Sequence, residues 1–252
     1  MSKIISIHSF RGGTGKSNVT ANVSAQLARK GKRVGVVDTD INSPGIHVLF
    51  QMDEEKIGRT LNDYLWGQCT IEEAAYDVSA QVGGSGVIYL IPSSMRAGEI
   101  AKVLREGYDV GLLNDGFRSL VEQLNLDYLL IDTHPGLNEE TLLSIAISDL
   151  LLIILRTDQQ DFQGTAVTVD VARKLEVPHL YLVVNKAISS YQPDDLRKQV
   201  EETYHAPVAA IIPLSEDVAA LQSADIFSIR YPDHPVSQRI EEIVATVERA
   251  VG

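Results

Sequence analysis

The sequence is poor in cysteine, in positive charge and in long apolar runs, and each shortage excludes something. Cys69 is the single cysteine in 252 residues, so no internal disulfide can form, which fits a reducing cytoplasm. Lys and Arg number 22 against 34 Asp and Glu, for a formal net charge of −12. A chain this acidic does not advertise nucleic acid as a partner, although net charge averages over all faces and leaves room for a local basic patch. The longest aliphatic run, Leu150 to Leu155, falls far short of the ~20 residues a membrane-spanning helix needs. The N-terminal MSKIISIHSF mixes apolar with polar residues over a short stretch and does not read as a signal peptide. The expectation is a soluble, cytoplasmic protein.

Apolar residues are abundant, at 44% of the chain, enough to bury a core, and one domain over residues 1–252 is expected. Continuous aliphatic runs at Ile4–Ile7, Val34–Val37, Val87–Ile91, Tyr128–Ile131, Leu150–Leu155, Tyr181–Val184 and Val208–Ile212 read as strands covered on both faces. Helical patterns at Lys16–Lys30, Asp115–Leu124, Glu139–Ile147, Gly164–Leu175 and Pro193–Tyr204 alternate with them. Strand followed by helix, repeated, predicts an α/β fold with a mostly parallel central sheet and helices on both faces. The polar stretch from about 52 to 86 holds the only tryptophan, Trp66, ends in QVGGSG, and reads as a short helical insertion. Near the C-terminus, Val236, Ile240, Ile243, Val244, Val247 and Val251 fall on one helical face. The charged residues Arg239, Arg249, Glu241, Glu242 and Glu248 sum to −1, which argues for packing on the body and against a membrane-binding helix.

Chemistry concentrates in SFRGGTGKSN. Between a strand and a helix, Gly12, Gly13, Thr14 and Gly15 let backbone N–H groups wrap a phosphate, and the helix N-terminus adds partial positive charge. Lys16 reaches β- and γ-phosphates, Ser17 offers its hydroxyl to Mg²⁺, and Asn18 follows directly. In VVDTDINSPG, Asp38 and Asp40 sit near a strand's carboxyl end, the edge where open parallel sheets bind ligands. In YLLIDTHPG, Asp132 ends a hydrophobic strand and is placed to hold Mg²⁺, and Gly136 offers an N–H to a γ-phosphate. His134 is read as structural. In VVNKA, Asn185 carries an amide able to read an adenine edge.

These elements resemble, in kind and in order, those of the MinD/ParA ATPases, whose deviant Walker A loop reads x-Lys-Gly-Gly-x-Gly-Lys-Thr/Ser. Phe10 fills the open first place, Gly12, Gly13, Gly15, Lys16 and Ser17 match, and Arg11 stands where that family has its signature lysine. The resemblance extends over nearly the whole chain and implies the three-layer P-loop NTPase fold, ATP/ADP with Mg²⁺, and slow hydrolysis without a partner. It implies that Asp40 is the catalytic carboxylate beside Mg²⁺ and the attacking water, with Asp38 supporting it. It also implies an adenine contact from Asn185 and closure of IIPLSEDVAAL over the base near Pro213.

The family's ATP-dependent homodimer puts the signature lysine on the other subunit's phosphates. Arg11 keeps the charge and adds a planar fork for phosphate oxygens. It therefore replaces the lysine in trans, or it salt-bridges locally while Arg156 supplies the trans charge, or the dimer is weak and hydrolysis slow. Relatives position chromosomes, plasmids, division sites, flagella or carboxysomes, so an activating partner protein is expected. Nonspecific DNA is open through Arg173, Lys174, Arg197 and Lys198, against the net charge. An iron–sulfur carrier of the related Mrp type would need two closely spaced cysteines, which Cys69 alone cannot supply. A metabolic or maturation ATPase on the same fold and a sensor that binds ATP without hydrolysing it are the other readings.

Overall fold

The computed structural model describes residues 2–252. Strands β1 (Lys3–His8), β2 (Arg33–Asp38), β3 (Tyr76–Asp77), β4 (Val87–Ile91), β5 (Tyr128–Asp132), β6 (Leu150–Leu155), β7 (His179–Ala187) and β8 (Val208–Pro213) form one eight-stranded sheet in the order β3-β4-β2-β5-β1-β6-β7-β8. All neighbours pair parallel except β3, whose Tyr76 and Asp77 lie antiparallel to Leu90 and Tyr89 of β4. The first half of the chain carries helices α1 (Lys16–Arg29), α2 (Ile46–Leu49), α3 (Leu61–Leu65), α4 (Ser79–Val82), α5 (Ala97–Glu106) and α6 (Gly111–Gln123). The second half carries α7 (Glu139–Ala146), α8 (Gln159–Lys174), α9 (Pro193–Tyr204), α10 (Glu216–Ala220), α11 (Phe227–Arg230) and α12 (Pro235–Val251).

Successive strand residues point to opposite faces, and here both faces are dry. On one side Ile5, Ile7, Leu130, Leu152 and Ile154 pack against Val23 and Leu27 of α1 and against α12. On the other, Leu151, Ile153 and Leu155 meet Val169 of α8 and Leu196 and Val200 of α9. Leu129 and Ile131 meet Leu113, Phe117 and Leu120 of α6 on that same side. This double burial is why the strands read as unbroken aliphatic runs. The stripe Val236, Ile240, Ile243, Val244, Val247 and Val251 of α12 turns inward and is buried in the core it shares with α1.

Among the departures from the expected elements, three have a visible local cause. The segment from 52 to 86 holds not only short helices but also the edge strand β3, too brief to show an alternating pattern. Helix α5 has no counterpart in the sequence reading, because its N-cap position is Arg96 and no side chain caps it. Helix α8 begins at Gln159 rather than Gly164, since Asp158 caps it by accepting the Asp161 N–H. Gly164 therefore sits inside a helix, where glycine is unfavourable. The reason is Phe10: a Cβ at Gly164 would stand 2.0 Å from Phe10 Cδ1, so the ring of the loop residue lies directly on the helix backbone.

Candidate active site

The carboxyl ends of the parallel strands open onto one edge, where the loop after β1 meets the ends of β2, β5, β7 and β8. A cavity of about 560 Å³ runs along it, floored by Gly12 to Asn18 and walled by Asp40, Pro135, Asn185, Lys186 and Pro213. Beyond Pro213 its wall turns apolar, with Ile212, Val218, Val236 and Ile240. Gly12 to Asn18, Asp40, Asn185 and Pro213 thus share one space, as the sequence predicts, while Lys186 joins them without having been singled out.

The loop is braced from β7. Asn185 Nδ2 donates to the Thr14 carbonyl at 2.7 Å, and its Oδ1 accepts the Lys186 N–H at 2.9 Å. Lys186, in left-handed backbone at φ 57°, sends Nζ to the Gly13 carbonyl at 2.8 Å. One amide proton is therefore committed to the loop and one lone pair to Lys186, and one proton and one lone pair remain for a base. The brace explains Gly15, which has φ 91° and would place a Cβ 2.4 Å from Asn185 Nδ2. Gly15→Ala is expected to displace Asn185 and to store about 1–3 kcal/mol of backbone strain. A lower melting temperature and at least tenfold weaker binding of a fluorescent ATP analogue, about 1.4 kcal/mol, would register it. Unchanged binding would contradict this account of the loop.

Lys16 begins α1 and is 6% exposed, and its Nζ donates to Asp132 Oδ1 at 2.8 Å, where Asp132 is 1% exposed. Thr20 Oγ1 donates to the same oxygen at 3.0 Å. The ammonium has three donors, so phosphate oxygens can be served as well. Among the described residues, Asp132 Oδ2 is buried with no hydrogen-bond partner. A buried acceptor left unpaired is unfavourable unless a ligand supplies what it lacks. With the Ser17 hydroxyl and Asp40 on the same cavity, the oxygen set fits Mg²⁺. Among the described residues no group of three His, Cys, Asp or Glu makes a metal site, so water and phosphate oxygens would complete the coordination.

Asp38 ends β2 fully buried. Its Oδ1 accepts the Asp40 N–H at 3.0 Å and its Oδ2 the Gly45 N–H at 3.1 Å, so it shapes the turn that presents Asp40. Burial first, and then the neighbouring Asp132, push the Asp38 carboxyl up to about 8, against the pull of Lys16. Burial also raises Asp40, with Lys16 opposing, and Asp40 Oδ1 accepts the Ser43 N–H at 3.2 Å. His8 at the end of β1 is buried and neutral, its pKa lowered to about 3 by burial, and its Nδ1 lies 2.8 Å from Thr133 Oγ1.

Two expected roles meet a prior commitment. Gly136, at φ 88°, donates its N–H to the Ser9 carbonyl at 3.2 Å, so it is not free for a γ-phosphate as the sequence reading has it. Pro135 and Gly136 pack directly over the phosphate loop, and that contact consumes the donor. Arg11 and Arg156 converge on a single carboxylate: Arg11 Nη1 lies 3.5 Å from Asp158 Oδ1, and Arg156 Nη2 lies 2.8 Å from Asp158 Oδ2. Arg156 is bound further through Nε to Asp161 at 3.0 Å, whereas Arg11 among the described residues has Asp158 alone, its side chain 40% exposed. Asp158, missed from the sequence, thus sets both arginines.

Comparison with known proteins agrees with this geometry. A ParA family model, described as NUBPL iron-transfer P-loop NTPase, matches residues 1–248. An uncharacterized ATP-binding protein of Methanocaldococcus jannaschii is 29% identical over 248 residues, covering 97% of this chain and 87% of that one. An iron-sulfur cluster carrier protein of Rickettsia prowazekii is 30% identical over 221 residues, covering 86% of this chain but 63% of the carrier. The septum site-determining protein MinD of Pyrococcus horikoshii, solved as a complex with Mg-ADP, superposes with a TM-score of 0.83 at 23% identity, covering 100% of this chain and 98% of that one. With its loop, its carboxylates and its eight-stranded sheet in the places described, the chain belongs to the ParA family of P-loop NTPases.

Proposed function

We propose that this protein is a Mg²⁺-dependent ATPase that works as an ATP-driven dimerisation switch in positioning or partitioning an intracellular cargo. The observation that carries the reading is that Asp40, Lys16 and Ser17 line a single cavity, with the unpaired oxygen of Asp132 behind Lys16. Gly12 to Ser17 would hold the phosphates, and the apolar end near Pro213 would take the purine. Mg²⁺ supplies charge neutralisation when bound, alongside Lys16. Asp40 orients the water that attacks the γ-phosphate.

The half-buried Arg11, held by Asp158, supports the switch. A guanidinium released from Asp158 would reach phosphates of a second subunit, while Arg156 stays tied to two carboxylates and the start of α8. Arg11→Ala is expected to abolish ATP-dependent dimerisation and to lower turnover toward the ~10³-fold loss typical of a missing trans arginine. Arg156→Ala is expected to dimerise. Analytical ultracentrifugation with Mg-ATP checks both, and normal dimers and turnover in Arg11→Ala would end the trans assignment.

The cargo end of the reading draws on family resemblance. Nonspecific DNA is a poor match for the surface: Arg173 donates to the Tyr204 and His205 carbonyls, Arg197 to the Val208 carbonyl, and Lys198 pairs with Glu202. No described helix is long and apolar enough to cross a membrane. The second reading is a maturation ATPase, favoured by the iron-transfer description of the matching family. With Cys69 alone, half-buried between α3 and the following turn, this chain supplies no cysteine pair for a cluster. The proteins retained by an Asp40→Ala variant in Mg-ATP separate the two readings: positioning machinery supports the first, and iron–sulfur assembly proteins support the second.

A further inference from the structure

His134 lies opposite Asp40, which lines the phosphate cavity, with His134 Nε2 3.8 Å from Asp40 Oδ1. Its other nitrogen is fixed: Nδ1 sits 2.6 Å from the Pro135 carbonyl, which can only accept, so Nδ1 carries the proton. In the neutral ring Nε2 is then a lone-pair acceptor. The backbone is held as well, since the Thr141 hydroxyl of α7 donates to the His134 carbonyl at 3.3 Å. Two acceptors thus face each other across a gap too long for a direct hydrogen bond and short enough for one water.

We propose that His134, through Nε2, is the second acceptor for the attacking water, paired with Asp40. A water between them donates one hydrogen to Nε2 and the other to the Asp40 carboxylate. With both hydrogens engaged, its lone pairs point away from the two acceptors and toward the phosphate site. During hydrolysis its oxygen bonds to the γ-phosphorus as the bond to the β–γ bridging oxygen breaks, the electron pair staying on ADP. One water proton leaves through Asp40 to solvent and the other remains on inorganic phosphate, while His134 orients the water and takes no proton. The inference rests on the ATPase reading above.

The test compares His134→Gln, His134→Asn and His134→Ala under saturating Mg-ATP, with wild-type turnover and binding of a fluorescent ATP analogue measured in parallel. Gln places a carbonyl oxygen near the position of Nε2, whereas Asn reaches only as far as Nδ1. The expected result is a kcat about 10- to 100-fold lower for Ala and Asn, with KM and analogue affinity unchanged. Gln is expected to recover at least a third of the wild-type kcat. Equal turnover in the Ala variant, or a Gln variant as slow as Ala, overturns the inference. A wild-type protein that binds the analogue without turnover overturns the ATPase reading instead, so the two failures are distinguishable.

Discussion

Replacing Lys16 with methionine is expected to lower stability and to remove nucleotide binding, and the two losses separate in one experiment. The lysine is the cation for a buried group of carboxylates: it bonds Asp132 directly and lowers Asp38 and Asp40 through space. Removing one partner of a buried ion pair leaves an uncompensated charge and typically costs about 3–5 kcal/mol. For a chain of this length that is a fall in melting temperature on the order of 10 °C. Wild-type protein gains about 2.7 kcal/mol from Mg-ATP at a hundredfold excess over its dissociation constant. Lys16→Met is expected to melt low and to gain nothing from Mg-ATP, measured by scanning fluorimetry with and without nucleotide. A variant that melts low yet still gains the full shift would place phosphate recognition elsewhere.

The second large effect belongs to Asp40→Ala. Asp40 is held at the rim by the Ser43 N–H and by the turn that Asp38 organises, and its removal deletes no core packing. The expected stability change is only the loss of one such hydrogen bond, about 1 kcal/mol. Turnover is expected to fall by about 10²–10⁴-fold, the range associated with losing a positioned acid–base group, while ATP still binds. Phosphate release under saturating Mg-ATP measures the first, and retention of unhydrolysed ATP on the protein measures the second. If the variant fails to bind ATP, Asp40 serves binding rather than hydrolysis.

Much of this arrangement is legible in the residues. The strands show as aliphatic runs because Leu129 and Leu130, or Leu151 and Leu152, face opposite layers that are both filled. The phosphate loop shows because left-handed turns at Gly13 and Gly15 demand glycine at fixed spacing ahead of Lys16. What stayed hidden depends on contacts across the fold. Asp158 is an ordinary helix cap in sequence, and only the folded chain brings it to Arg11, 147 residues away. Phe10 occupies a place that the loop pattern leaves open, and its packing on Gly164 has no local signature. His134 read as structural because nothing in DTHPG announces that Asp40 stands across from it. Gly136 read as a free donor because the Ser9 carbonyl that takes its N–H belongs to another segment.

Under the proposed function, ATP assembles two copies of this chain and hydrolysis parts them. Asp40→Ala isolates that claim, since it holds the triphosphate without consuming it. Its mass by light scattering should be that of one chain with Mg-ADP and of two chains with Mg-ATP. The same mass in both nucleotides, with ATP shown to be bound, would contradict the switch.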